Sequence, residues 1–188
     1  VEHSKIGEQI IEKICCSKGE EAEVYLKTFR AVGFDVSGQK LENFNTPYSS
    51  GIGLRIFSKN SIGFAYTTGF DRGSIERLVR EARDNALNGT PDEWSCLPQV
   101  SRHQQANIVS HEGLFDEELA KVPMPIKVDK IREMEKRALA YDKRVKRVLR
   151  ASYNDSQYEV SLFNSTGLKA GYRGTQCSCG LVAVAEAK

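Results

Sequence analysis

Ile6, Ile10, Ile11 and Ile14 recur at intervals that place them on one face of an α-helix. Ser4 ahead of them offers an N-cap and Gly19 behind them a stop, so the spacing predicts a first helix over residues 4–18. The period then changes to two. Val24, Leu26, Phe34, Val36 and Leu41 mark one face of extended chain, read either as two strands turning near residues 31–33 or as one long bent ribbon. Further on, Ile52, Leu54 and Ile56 share one face while Gly51, Gly53, Arg55 and Phe57 share the other. Ser58-Lys59-Asn60-Ser61 supplies a turn, and Ile62, Phe64 and Tyr66 resume the alternation, which is the pattern of a β-hairpin. A helical stripe of Ile75, Leu78, Val79, Ala82, Ala86 and Leu87 follows, closed by Gly89.

Residues 90–125 hold neither period and contain Pro91, Pro98, Pro123 and Pro125, so they read as a loop across the surface, pinned by Trp94 and Leu97. A third helix over residues 127–142 carries Val128, Ile131 and Met134, with Leu139 and Tyr141 drifting off the stripe. Alternating segments at 145–153, 158–164 and 169–186 complete the chain, with turns expected at Asn154-Asp155 and at Ser165-Thr166-Gly167. The fold class is α+β: a mostly antiparallel sheet with about three helices packed on it. Residues 1–188 read as a single domain, with sub-units 1–89 and 126–188 joined by the loop 90–125.

Composition narrows the picture. At 188 residues and 40% apolar content the chain can bury a core. A net charge of +2 does not call for a polyanionic partner. No apolar run approaches the roughly 20 residues of a membrane helix, and the five cysteines are odd in number with Cys15 and Cys16 adjacent, which suits a reducing cytoplasm better than a disulfide framework. The first residue is Val1 and the last segment is an apolar β-like run with no turn behind it, so a piece of a longer protein is expected.

The chemistry-bearing motifs are few. Gly51 and Gly53 open like a phosphate cradle, but a cradle needs its glycines between a strand and a helix, and here they lie within a strand followed by another strand. They read instead as a bare sheet face open to a helix, a partner or an extended peptide, with Arg55 beside them as a carboxylate anchor or, more simply, one half of an internal ion pair. Gly51, Gly53 and Arg55 are the candidate contact residues; catalytic and metal-ligating residues are not assigned. His111-Glu112 starts like a zinc-peptidase helix, yet Phe115 stands where the second histidine is needed. Cys177 and Cys179 share a strand face and read as buried or half-buried structural thiols, a thiol enzyme being the weaker alternative. The basic run from Lys136 to Arg150 reads as a solvated face without aromatics interleaved on a stacking sheet, and a stand-alone peptide- or nucleic-acid-binding module is the minor alternative.

The order of "AEVYLKTFRAVGFDVSGQKLENFN", "GIGLRIFSKNSIGFAYTTGFD", "IERLVREARDNA", "EKRALAYDKRVKRV" and "FNSTGLKAGYRGTQCSCGLVAVAE" resembles the N-terminal region of the TldD/PmbA family, also named modulators of DNA gyrase. The resemblance covers nearly the whole chain, loosest over 90–125, and its last segment is closer to PmbA (TldE) than to TldD. It implies a non-catalytic N-terminal domain of a metallopeptidase, or of that enzyme's companion subunit, involved in proteolysis or maturation of unfolded peptides. It further implies a catalytic or C-terminal domain outside this chain and, as partners, a homodimer or a TldD/PmbA heterodimer. No cofactor is expected in these residues. Zinc is expected in the full-length protein or its partner, through a His-Glu-x-x-x-His motif downstream of this region, to which His111 does not correspond. The gyrase link rests on the family name alone.

Overall fold

A computed structural model describes residues 3–15, 19–98 and 113–186. The elements run α1 (His3–Cys15), β1 (Glu20–Ser37), β2 (Lys40–Asn45), β3 (Tyr48–Ser58), β4 (Ser61–Thr67), α2 (Arg72–Leu87), a 3-10 turn (Leu119–Lys121), α3 (Met124–Tyr141), β5 (Val145–Asn164) and β6 (Lys169–Ala185). The chain forms two compact units from interleaved segments, the first from Val1–Thr28, Ser49–His111 and Glu159–Arg173, the second from Phe29–Tyr48, Glu112–Tyr158 and Gly174–Lys188. Strands β1, β5 and β6 each contribute residues to both.

In the first unit the strand order is β4-β3-β1-β5-β6, and α1 and α2 cover one face. The buried residues are those the periodicities select: Ile10 and Ile14 from α1, Val24 and Leu26 from β1, Ile52, Leu54 and Ile56 from β3, and Leu78, Val79 and Ala82 from α2. Asp71 caps α2, its carboxylate accepting from the Ser74 amide. The β3–β4 hairpin turns through Lys59 and Asn60 at φ 49° and 61°, and Ser58 pairs with Ser61. That is the two-residue turn the sequence suggested, with both central residues left-handed.

The second unit pairs β2 with β1, which is followed by β5 and β6, and packs α3 on the sheet. Phe34, Val36, Val128, Ile131, Val148, Ala151 and Tyr153 form its core, with the Phe34 and Tyr153 rings stacked at 5.1 Å. Gly38 and Gln39 make the β1–β2 turn at φ 56° and 66°. The amides of both donate to the buried carboxylate of Glu135 on α3, at 2.8 Å each. An acidic side chain inside a helix thus fastens a turn far away in sequence, through charge-assisted hydrogen bonds.

The antiparallel sheet with three helices is as expected, and several local readings change. Helix α1 begins at His3, so Ser4 lies inside it and does not cap it. Strand β1 is the continuous ribbon, passing through residues 31–33 without a turn. Asn154-Asp155 is no turn but the middle of β5, because Asp155 is buried against Lys127. Leu97 is buried as expected; Trp94 is 81% exposed and pins nothing. Leu41, placed on the core face by its period, is exposed. Among the described residues no helix is long and apolar enough to cross a membrane.

Candidate functional site

The helices cover one face of the first unit's sheet, and the other face carries Gly51, Gly53 and Arg55. Pairing of β3 with β4 sets Gly53 opposite Tyr66, Arg55 opposite Phe64 and Phe57 opposite Ile62. Directly opposed residues in an antiparallel pair share a face. The bulky residues of β4 therefore point away from the helices, while Ser61, Gly63 and Ala65 lie on the helix side. Gly63 makes this arrangement possible: a Cβ there would stand 1.9 Å from the Ala82 carbonyl oxygen and 2.2 Å from the Ala86 nitrogen of α2.

Over the open face, the Phe64 ring lies against Gly53, whose added Cβ would meet it at 3.3 Å. Phe64 and Tyr66 are roughly parallel with ring centroids 6.4 Å apart, and Tyr66 is 74% exposed. Tyr25 of β1 forms the opposite wall, its phenol held above its ordinary range by burial and secondarily by Tyr172. Arg55 donates to Glu23, which is buried, while half of the guanidinium side chain stays exposed. Two open grooves result. One of about 500 Å³ is lined by Glu23, Tyr25, Gly53, Arg55, Phe64 and Leu162. Another of about 340 Å³ continues past the same Tyr25, Gly53 and Phe64 to Lys27, Gly51 and Tyr66.

In this stretch Arg55 is paired with Glu23, and Gly51 and Gly53 line a groove. The residues missed were Tyr25, Phe64, Tyr66 and Glu23. Counting register outward from the Lys59-Asn60 turn would have found the aromatics of β4, since it fixes Phe64 and Tyr66 on the face of Arg55 and Gly53. Chemically the face offers π and apolar surface with two cations, Lys27 and Arg55. No cysteine or histidine lines it among the described residues.

Among the described residues the remaining candidates do not assemble a reaction centre. Cys177 and Cys179 are free and exposed, not buried; the Cys177 thiol donates to the Tyr153 hydroxyl at 3.6 Å. Tyr153 donates in turn to Asp155 at 2.8 Å, and Asp155 is paired with buried Lys127. Burial first, and then hydrogen bonding to Cys177 and Asp155, keep the Tyr153 phenol protonated far above its usual range. In the basic run, Arg137 pairs with Glu133 and Arg144 with Asp142, as a solvated face would. His111 lies outside the described residues. Among those described, no three His, Cys, Asp or Glu side chains converge to hold a metal ion, so these residues do not fit a zinc site.

Residues 22–86 match the family model described as PmbA/TldA metallopeptidase domain 1, and residues 117–188 match the one described as PmbA/TldA metallopeptidase central domain. Metalloprotease PmbA of Escherichia coli O157:H7 is 26% identical over 175 residues, which is 93% of this chain and 38% of that protein. A solved structure of a proposed modulator of DNA gyrase from Bacteroides thetaiotaomicron superposes with a TM-score of 0.79 at 18% identity, over 95% of this chain and 40% of its own. TldE from Thermococcus kodakarensis gives 0.73 at 20% identity, over 97% and 38%. The chain thus spans about two fifths of the length of these relatives.

Proposed function

The chain belongs to the TldD/PmbA family, and from that premise we propose that it is a non-catalytic part of a TldD/PmbA-type metallopeptidase, or of that enzyme's companion subunit, which holds unfolded peptide on the open sheet face of its first unit. One observation carries the reading: exposed Tyr25, Phe64 and Tyr66 stand over a floor of Gly51 and Gly53, on the face opposite to the one that the described helices cover. An extended chain fits such a trough, because the glycines admit its backbone closely and the rings supply contact that is tolerant of sequence. The same rings could stack bases, but among the described lining residues the cations are Lys27 and Arg55, fewer than strand-tracking grooves employ.

On this reading bond cleavage belongs to residues outside this chain, and zinc to the full-length protein or its partner. Pairing with a second family member, as a homodimer or a TldD/PmbA heterodimer in the cytoplasm, belongs to the same proposal. The gyrase connection enters only as the name borne by relatives.

The test is binding of a fluorescein-labelled, unstructured peptide rich in aliphatic and aromatic residues, followed by anisotropy. Tyr66→Ser and Gly53→Leu should each weaken binding about tenfold, since a buried aromatic contact is worth about 1 kcal/mol or more and a leucine would occupy the floor. Unchanged affinity in both variants, or no binding by the parent chain, would refute the reading.

A further inference from the structure

We propose that this face selects acidic segments: it takes an extended peptide carrying two carboxylate side chains about four residues apart, one on Arg55 and one toward Lys27, with the apolar side chains between them resting on Tyr25 and Phe64. The inference rests on the peptide-holding reading and adds the chemistry of the occupant.

The argument comes from how charge is distributed on the face. Among the described residues its charged lining is Glu23, Lys27 and Arg55. Glu23 is buried beneath Arg55, so the anion is covered while the cation stays half exposed. The hydrogen bond to Glu23 engages one guanidinium nitrogen, and an arginine fork has five N–H donors, so donors remain for a ligand carboxylate. Glu23 is therefore a support that orients Arg55, not a repelling group at the surface. Lys27 is exposed and lines the adjoining groove. Tyr25, Gly53 and Phe64 line both grooves, which makes them one continuous trough with a cation toward each end.

Spacing follows from strand geometry. Arg55 is bonded to Glu23, and Lys27 lies four residues farther along the same strand, about 13 Å at 3.3 Å per residue. An extended ligand rises by a similar amount per residue, so carboxylates four positions apart match the two cations. An acidic side chain within the peptide is favoured over a free C-terminus because Tyr25 and Phe64 line both grooves, so that the trough runs on past them to either side.

Two labelled ten-residue peptides differing only in Glu or Gln at those two positions test this on the whole chain at low salt. The Glu peptide should bind about tenfold more tightly, exposed charge contacts being worth up to about fivefold each, and the advantage should shrink as salt rises. Lys27→Gln should remove about half of the logarithmic advantage of the Glu peptide over the Gln peptide, both measured on that variant. Because Arg55→Gln strands a buried carboxylate, the paired change Glu23→Gln with Arg55→Gln serves for the other end. Equal binding of the two peptides overturns the acidic selectivity and leaves peptide holding intact. Binding of neither peptide sinks both, and tighter binding of a ten-nucleotide oligothymidylate than of the Glu peptide would overturn them in favour of a nucleic-acid face.

Discussion

Gly53 and Gly63 look alike along the chain, each in an alternating strand with apolar neighbours, yet they do opposite things. Gly53 faces the open trough, and a methyl group added there would press only on the edge of the Phe64 ring at 3.3 Å. Gly63 faces α2, where a methyl group would collide with the backbone at Ala82 and Ala86. A ring can swing aside, whereas a packed helix must be displaced as a body. Gly63→Ala should therefore cost about 3 kcal/mol in urea unfolding, and Gly53→Ala should stay within about 0.5 kcal/mol of the parent. Equal costs would mean that α2 does not lie on β4 as described. Residue types alone could not separate the two glycines; the register of the hairpin does, and that register was legible in Lys59-Asn60.

At the scale of elements, what sequence reading recovered was periodicity, and what it missed was the long-range use of polar residues. The stripe of α2 was legible because Leu78, Val79, Ala82 and Ala86 repeat at helical spacing and are all buried. Asn154-Asp155 reads as a turn because these residues favour turns locally. In β5 that preference is overridden: Asp155 accepts from Lys127 of α3 at 2.5 Å and from Tyr153. Nothing adjacent to Asp155 in the sequence announces Lys127. Removing one member of a buried pair leaves the other charge without compensation, so Asp155→Ala should cost about 3–5 kcal/mol. Lys127→Met combined with Asp155→Leu should cost far less, since no buried charge remains. Guanidinium unfolding of the three proteins reads this directly; a double variant as unstable as Asp155→Ala would show that the polar network does more than balance its own charge. Glu135 at the Gly38-Gln39 turn follows the same logic, a carboxylate whose partners are two turn amides and the Gln39 side chain, distant in sequence and so invisible to any motif.

Across the whole molecule, each unit holds a titratable group whose folded form resists ionising, one at each end of the pH scale. In the first unit His3 is buried between the Thr28 hydroxyl, 2.8 Å from Nε2, and Ser161, 3.4 Å from Nδ1, with Glu159 at 3.9 Å. Burial lowers its pKa below 6.5, and the attraction of Glu159 opposes this only in part. As pH falls the unfolded chain protonates first, so stability from His3 is complete above 6.5 and is lost as pH drops through the folded value. In the second unit Tyr153 is shifted upward from 10.0, chiefly by burial. There the unfolded phenol ionises first, so stability is complete below that value and is lost as pH rises beyond it. Neither group was marked by the sequence: His3 sits where a helix start was expected at Ser4, and Tyr153 where a strand was expected to end. Urea midpoints followed by circular dichroism from acid to alkaline pH should form a plateau that falls at both ends. His3→Gln should flatten the acid limb alone and Tyr153→Phe the alkaline limb alone, because the groups lie in separate units whose cores have no residue in common. If either substitution flattened both limbs, the two units would be titrating as one, and the division of the chain into two cores would not describe how it unfolds.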